Sequence, residues 1–209
     1  MLKRLGFFRL ACDPDDERRF DYRRPVEDLD SALIRANKAG DEVDSSLIVL
    51  PEAFNNCKYY WDSQPEVDWN LAERLKGTAQ RFGVTLVAGL LEQSQIGLPY
   101  SSCYLIEPSD QQSRRLCRKV RPDNSNHYQC CEGDCDNNNP LVLTADVCVG
   151  ALLCCDIEDG DRIRRLNSCF VKHGKSLNIL CIPACMRRSV YSSTEAIASE
   201  WPTNWVASR

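Results

Sequence analysis

The sequence lacks several features that mark common classes of protein. Only two histidines are present, His127 and His173, which leaves little for a histidine-rich metal centre. No run of about 18 apolar residues occurs, so no transmembrane helix is expected. Residues 2–10 carry basic side chains within a short apolar run and no signal-peptide cleavage pattern, and we expect a first strand there. These absences predict a cytoplasmic protein with no membrane partner.

A strong excess of positive charge is also missing. The net charge of −4 gives the chain no general attraction to nucleic acids or anionic lipids. Its content of 43% hydrophobic and 27% charged residues is ordinary for a globular protein. At 209 residues, one domain spanning residues 1–209 is expected, with enough chain to bury a substantial core.

Cysteine, by contrast, is abundant, with thirteen residues. Without a secretion signal, a disulfide framework is not expected. Cys130, Cys131 and Cys135 lie close together, as do Cys181 and Cys185, but neither group has the Cys-x-x-Cys spacing of a zinc ribbon. We therefore expect reduced, mostly buried thiols and no metal. A thiol-rich redox or metal-binding protein is the alternative, which thiol counting and metal analysis would identify.

One apolar run ends in a cysteine that could act as a nucleophile. Residues 149–153 predict a buried strand, and Cys154, Cys155 and Asp156 follow it. A reactive side chain at a strand end lies where α/β proteins build their active sites. Buried cysteine is also a common small apolar residue, so Cys154 alone does not establish a site. Cys155 is the adjacent competitor, and on a strand its side chain would point to the opposite face.

Two other strand ends carry groups that complement a thiol. Glu52 follows Pro51, which should end a strand at residues 46–50, and Lys119 lies near the end of a strand at 115–120. A carboxylate can accept a thiol proton, and an ammonium can stabilise a developing oxyanion. The alternatives are a surface carboxylate at Glu52, a solvated basic pair at Lys119, and a catalytic Cys154–His127 pair.

The periodicity of apolar residues predicts an α/β layered domain. Helices are expected over 25–39, 66–82 and 161–173, and Trp69 falls on the apolar face of the second one. Ser192 and Glu195 resemble a capping box that opens a last helix. Further strands are expected near 84–91, 102–107, 141–144, 147–154 and 177–182.

Several segments together resemble the nitrilase superfamily, the carbon–nitrogen hydrolases. LIVLPEAF resembles the segment around the general base of that family, RKV the segment of its lysine, and VGALLCCD the segment of its nucleophile. FGVTLVAGLLE and SSCYLIEP resemble the strand pair that follows the first active-site helix. The resemblance implies a four-layer α-β-β-α sandwich whose members commonly associate through their helices, so a homodimer or larger homo-oligomer is expected.

The same resemblance implies hydrolysis of a non-peptide carbon–nitrogen bond in a small amide, N-carbamoyl compound or nitrile. Cys154 would attack and form a thioester, Glu52 would be the general base, and Lys119 would stabilise the tetrahedral intermediate. No cofactor is implied. Tyr60, Glu132 and Cys155 are weaker candidates for substrate binding.

The chain departs from the family pattern in three places. An aromatic residue and a Phe-Pro-Glu-like segment usually follow the nucleophile, but here Cys155 and residues 157–160 stand there. A second glutamate is common before the nucleophile, and only Glu132 could supply it. Family chains also continue beyond the end of this one, so the usual C-terminal strands are expected to be missing. A non-catalytic scaffold or binding module of the same fold is therefore the alternative function.

Overall fold

A computed structural model shows two β-sheets that are packed face to face and covered by helices. The structure describes residues 4–7, 25–40, 43, 46–56, 67–95, 97–110, 112–120, 130–131, 133, 141–144, 147–174, 177–184 and 206–207. None of the helices in these ranges is long and apolar enough to cross a membrane.

The first sheet has five strands in the order β1-β2-β3-β4-β5. β1, β2 and β3 are parallel, and β4 and β5 continue the sheet in antiparallel pairing. The strands are β1 (Arg4–Phe7), β2 (Ser46–Val49), β3 (Thr85–Glu92), β4 (Tyr100–Ile106) and β5 (Arg114–Arg118). Two helices occupy the crossovers between the parallel strands, as such connections require: α1 (Pro25–Lys38) and α2 (Leu71–Phe82).

The second sheet has four strands in the order β6-β7-β8-β9. They are β6 (Leu141–Thr144), β7 (Val147–Ala151), β8 (Ile179–Ile182) and β9 (Val206–Ala207). β7, β8 and β9 are parallel, while β6 pairs with β7 in the antiparallel sense. Helix α3 (Gly160–Lys172) connects β7 to β8, and the Asp159 side chain caps its first turn by accepting from the Asp161 amide.

Three apolar clusters define four layers. The inner cluster joins the two sheets, with Val49 and Val87 from the first facing Val149 and Ala151 from the second. The outer face of the first sheet packs on α1 and α2, and the outer face of the second packs on Leu166 and other residues of α3. The order helix, sheet, sheet, helix confirms the α-β-β-α sandwich expected from the sequence.

Most predicted elements are confirmed, but α2 begins later than the periodicity predicts. Its first residue is Leu71, where residue 66 was expected. The Asp68 carboxylate accepts from the Asn70 amide and holds the preceding residues in a turn. Trp69 therefore lies before the helix and is half exposed rather than in the core, which corrects its predicted place. The predicted capping box at Ser192 and Glu195 lies outside the described residues.

Candidate functional site

The central feature of the site is a buried ion pair between two strand ends. Glu52 and Lys119 are 2% and 3% exposed, and Lys119 Nζ lies 2.9 Å from Glu52 Oε1. Burial alone disfavours the charged ammonium, but the Glu52 carboxylate and the thiols of Cys154 and Cys155 outweigh it and raise the pKa of Lys119. The structure therefore excludes both the surface carboxylate and the solvated basic pair that the sequence left open.

The segment after β2 fixes the backbone that carries Glu52. Ala53 has a φ of 54°, an uncommon left-handed conformation for alanine, and it begins the turn that follows Glu52. The Asn55 amide then pairs with the backbone of Leu91, accepting its N–H at 2.7 Å and donating to its carbonyl at 2.9 Å. Gly89 makes room for this arrangement, because a Cβ there would stand 2.6 Å from Glu52 Cα.

Lys119 is held by its backbone at the end of β5. Its N–H donates to the Ser101 carbonyl at 2.7 Å, and its own carbonyl accepts from Gly133 at 2.8 Å. The Ser101 hydroxyl in turn donates to Glu52 Oε1 at 3.0 Å. Ser101 thus joins the carboxylate and the lysine, a role that the sequence did not reveal, because one serine in an apolar strand gives no signal of its own.

Cys154 reaches the site from the second sheet through a turn, not a strand. β7 ends at Ala151, and Cys154–Glu158 forms a 3₁₀ helix, so the predicted strand over 147–154 is too long. Cys154 itself has a φ of 46°, and its N–H donates to the Pro183 carbonyl at 3.1 Å. Because the backbone turns here, the alternation of a strand does not apply to Cys155. Its thiol is hydrogen-bonded to that of Cys154 instead of facing away, contrary to the prediction.

The environment keeps Cys154 protonated in the resting state. Its hydrogen bond to Cys155, its burial and the Glu52 carboxylate raise the pKa of Cys154 well above the ordinary value, against the opposing effect of Lys119. The hydrogen bond from Cys154 and the charge of Lys119 lower the pKa of Cys155, although burial opposes them. A nucleophilic Cys154 would therefore need a base at the moment of attack, and Glu52 is the carboxylate whose charge acts on it.

A second buried ion pair connects the turn that carries Cys154 to helix α3. Asp156 and Arg162 are 1% and 4% exposed, and Arg162 Nη2 lies 3.6 Å from Asp156 Oδ2. Asp156 also accepts from the Val120 amide. Arg162 carries no motif signal in the sequence, because it is one basic residue among several on an amphipathic helix.

The other predicted site residues have different outcomes. Cys155 lies beside Cys154 at the site and is partly exposed. Tyr60, Glu132 and His127 lie outside the described residues. Cys130 is buried, and its pKa is raised to about 11 by that burial, with Lys119 opposing and Glu52 adding to the shift. Among the residues that the structure describes, no group of three or more His, Cys, Asp or Glu side chains could hold a metal ion.

Comparison with known families identifies the sequence over most of its length. The model of the carbon–nitrogen hydrolase family matches residues 24–168, which include Glu52, Lys119 and Cys154. No curated protein sequence matches the chain.

Solved structures with the same fold include several hydrolases. A carbon–nitrogen hydrolase from Helicobacter pylori is 20% identical, with a TM-score of 0.60 over 90% of this chain and 68% of that one. A double mutant of the amidase from Nesterenkonia sp. AN1, in complex with acrylamide, is 17% identical with a TM-score of 0.64 over 90% and 70%. A CN-hydrolase superfamily protein from Xanthomonas campestris is 14% identical with a TM-score of 0.66 over 90% and 69%. At these identities the likeness establishes the fold.

Proposed function

Because this chain belongs to the carbon–nitrogen hydrolase family, we propose that it hydrolyses a non-peptide carbon–nitrogen bond through Cys154, Glu52 and Lys119. The substrate class is a small amide, an N-carbamoyl compound or a nitrile. The observation that carries the proposal is the buried Glu52–Lys119 pair, whose charges both act on the Cys154 thiol. The proposal treats residues 1–209 as one hydrolase domain that needs no cofactor and associates as a homo-oligomer.

For an amide, the proposed reaction has two halves. Cys154 Sγ attacks the carbonyl carbon as its proton passes to Glu52, and a tetrahedral oxyanion forms. The Lys119 ammonium and the backbone N–H of Cys155 stabilise that oxyanion. Glu52 returns the proton to the nitrogen as the carbon–nitrogen bond breaks, and ammonia or an amine leaves a thioester. Glu52 then takes a proton from the water that attacks the thioester, and it returns that proton to Cys154 Sγ as the carbon–sulfur bond breaks and the acid leaves.

The raised pKa of Cys154 supports the assignment of Glu52 as general base. A thiol that is protonated at neutral pH cannot attack until its proton is removed. A positioned base typically contributes about 10²–10⁴-fold to the rate. Among proteins of similar structure, the Nesterenkonia amidase was captured with acrylamide, which supports simple amides as the first compounds to test.

The first experiment is a screen for ammonia or amine release from amides, N-carbamoyl compounds and nitriles. Cys154→Ala should abolish turnover, whereas Cys155→Ala should keep measurable turnover because Cys154 remains. Cys169→Ala is the matched control, since this half-buried thiol lies on α3 and has no part in the proposed reaction. Loss of turnover in Cys155→Ala with retention in Cys154→Ala would reassign the nucleophile. A folded wild-type protein with no turnover on any class would favour the non-catalytic scaffold.

A further inference from the structure

Asp156 links the turn that carries Cys154 to the strand end that carries Lys119. It lies two residues after Cys154, and both of its carboxylate oxygens accept from the Val120 amide, at 3.1 and 3.3 Å. Val120 directly follows Lys119 in the chain. One carboxylate from the turn after β7 therefore holds the backbone on the C-terminal side of Lys119.

Arg162 holds the other side of the same lysine. Its Nη2 donates to the Arg118 carbonyl at 3.5 Å and lies 3.6 Å from Asp156 Oδ2. Arg118 directly precedes Lys119. The residues on either side of Lys119 are thus contacted by two charged side chains that belong to the turn after β7 and to α3.

Burying the guanidinium of Arg162 costs desolvation free energy, so a contribution to stability does not by itself explain why an arginine stands at this position. Its Nε and Nη1 are buried, and neither has a hydrogen-bond partner among the described residues. No hydrogen bond therefore offsets the free energy that these atoms lose when water is removed from them. A buried ion pair is often no more stabilising than apolar side chains of similar volume. In some proteins, buried polar or charged groups instead select one conformation.

We propose that Asp156 and Arg162 are positioning residues that fix Lys119 relative to Cys154. The inference rests on the proposed function, since it states what the fixed geometry serves. Neither side chain takes part in the proposed reaction. Both act through the backbone on either side of the lysine, whose ammonium must meet the oxyanion that forms on attack by Cys154. A misplacement of about 1 Å in such a site can cost on the order of 10²-fold in rate.

The test compares four variants by two independent measurements. Arg162→Met removes the guanidinium, Arg162→Lys keeps the charge, and Asp156→Asn keeps the shape and an acceptor oxygen for Val120. Arg164→Met is the matched control, because Arg164 lies on the same helix, is 74% exposed and, among the described residues, forms its ion pair with Asp161. The measurements are kcat and KM for a hydrolysed substrate, and the rate of iodoacetamide labelling at Cys154 across neutral and alkaline pH.

Arg162→Met should lower kcat on the order of 10²-fold with KM changed by no more than about twofold, because transition-state contacts are lost rather than substrate binding. Labelling of Cys154 should slow at each pH, since a displaced Lys119 no longer favours the thiolate. Arg162→Lys should recover most of both values, and Arg164→Met should match the wild type.

A folded Arg162→Met protein with unchanged kcat and labelling would overturn the inference and make the pair purely structural. If Arg162→Met does not fold, Asp156→Asn decides in the same way: slower labelling and a lower kcat support positioning, and unchanged values contradict it. Labelling needs no substrate. Absence of hydrolysis would therefore count against the proposed function alone, and labelling indifferent to the variants would count against positioning alone.

Discussion

At the scale of single residues, the site depends on two charges that burial has made interdependent. Glu52 and Lys119 each lose their hydration, and each is stabilised by the other at 2.9 Å. Removing one partner of a buried pair leaves an uncompensated charge, which typically costs about 3–5 kcal/mol of stability. Removing both charges leaves none uncompensated and is often far less destabilising. Substitutions of Glu52 or Lys119 should therefore change both the proposed reaction and the free energy of unfolding.

Lys119→Met should destabilise the protein by about 3–5 kcal/mol, and the double variant Glu52→Gln with Lys119→Met should be more stable than Lys119→Met. Urea denaturation measures both free energies of unfolding. Glu52→Gln alone keeps an acceptor for the lysine and should lose turnover with a smaller change in stability. A double variant whose loss equals the sum of the single losses would show that the two charges do not interact.

The residues of the candidate site could be selected from the sequence, but their surroundings could not. Glu52, Lys119 and Cys154 follow apolar strands, and complementary groups in that chain order indicate a reaction. Ser101 and Arg162 give no such signal, because a lone serine in a strand and a lone arginine on a helix are ordinary. Strand pairing within the first sheet brings Ser101 to Lys119, and the packing of the second sheet on the first brings Arg162 to the backbone beside that lysine.

At the scale of elements, the boundaries of strands and helices position the site. The apolar run from Val149 to Leu153 continues past the end of β7, so hydrophobicity alone predicts too long a strand. Leu152 and Leu153 are fully buried although they lie beyond the strand. The left-handed backbone of Cys154 ends the extended conformation, and the thiol that it carries interacts electrostatically with Lys119. No pattern of apolar residues encodes that turn.

Strand β3 passes so close to the backbone of Glu52 that residue 89 has no room for a side chain. Gly89→Ala would place a Cβ 2.6 Å from Glu52 Cα and 2.9 Å from the Pro51 carbonyl, both backbone atoms that cannot move independently. We expect a stability loss of about 1–3 kcal/mol from overpacking and a fall in turnover as Glu52 is displaced.

Gly77→Ala is the matched control for that variant. Gly77 lies within α2, and a Cβ there meets nothing within 4 Å. The same change should therefore raise stability by about 0.5–1 kcal/mol and leave turnover unaltered. Thermal unfolding and a turnover assay check both variants. If Gly89→Ala and Gly77→Ala had the same effect on stability and turnover, the structure would be able to accommodate a Cβ at residue 89.

At the scale of the whole molecule, three thiols lie between the two sheets. Cys103 and Cys117 are cross-strand neighbours on β4 and β5, and Cys181 belongs to β8. All three are buried in the inner cluster. Burial and the neighbouring Cys117 raise the pKa of Cys103 well above the ordinary value, and burial raises that of Cys181 to about 12. These thiols should be unreactive unless the sheets separate.

Thiol-reagent kinetics followed by peptide mapping test that expectation. Cys155 and Cys169 are partly exposed and should react in the native state. Cys103, Cys117 and Cys181 should react together, at a rate that rises with urea as global unfolding does. Three different rates would show that the inner layer opens locally. Fewer than thirteen free thiols in the denatured, unreduced protein would support the alternative that the chain is a thiol-rich redox protein.

The two sheets contribute different halves of the proposed site, and synthesis delivers them in a fixed order. The ribosome releases Glu52 and Lys119 with the first sheet, before β7 and Cys154 are made. The contact that holds the turn, from Cys154 to the Pro183 carbonyl, requires the chain to extend beyond β8. Under the proposed mechanism, a nascent chain therefore carries the proposed base and ammonium without a nucleophile, and Cys154 joins them only after the second sheet has closed over the first.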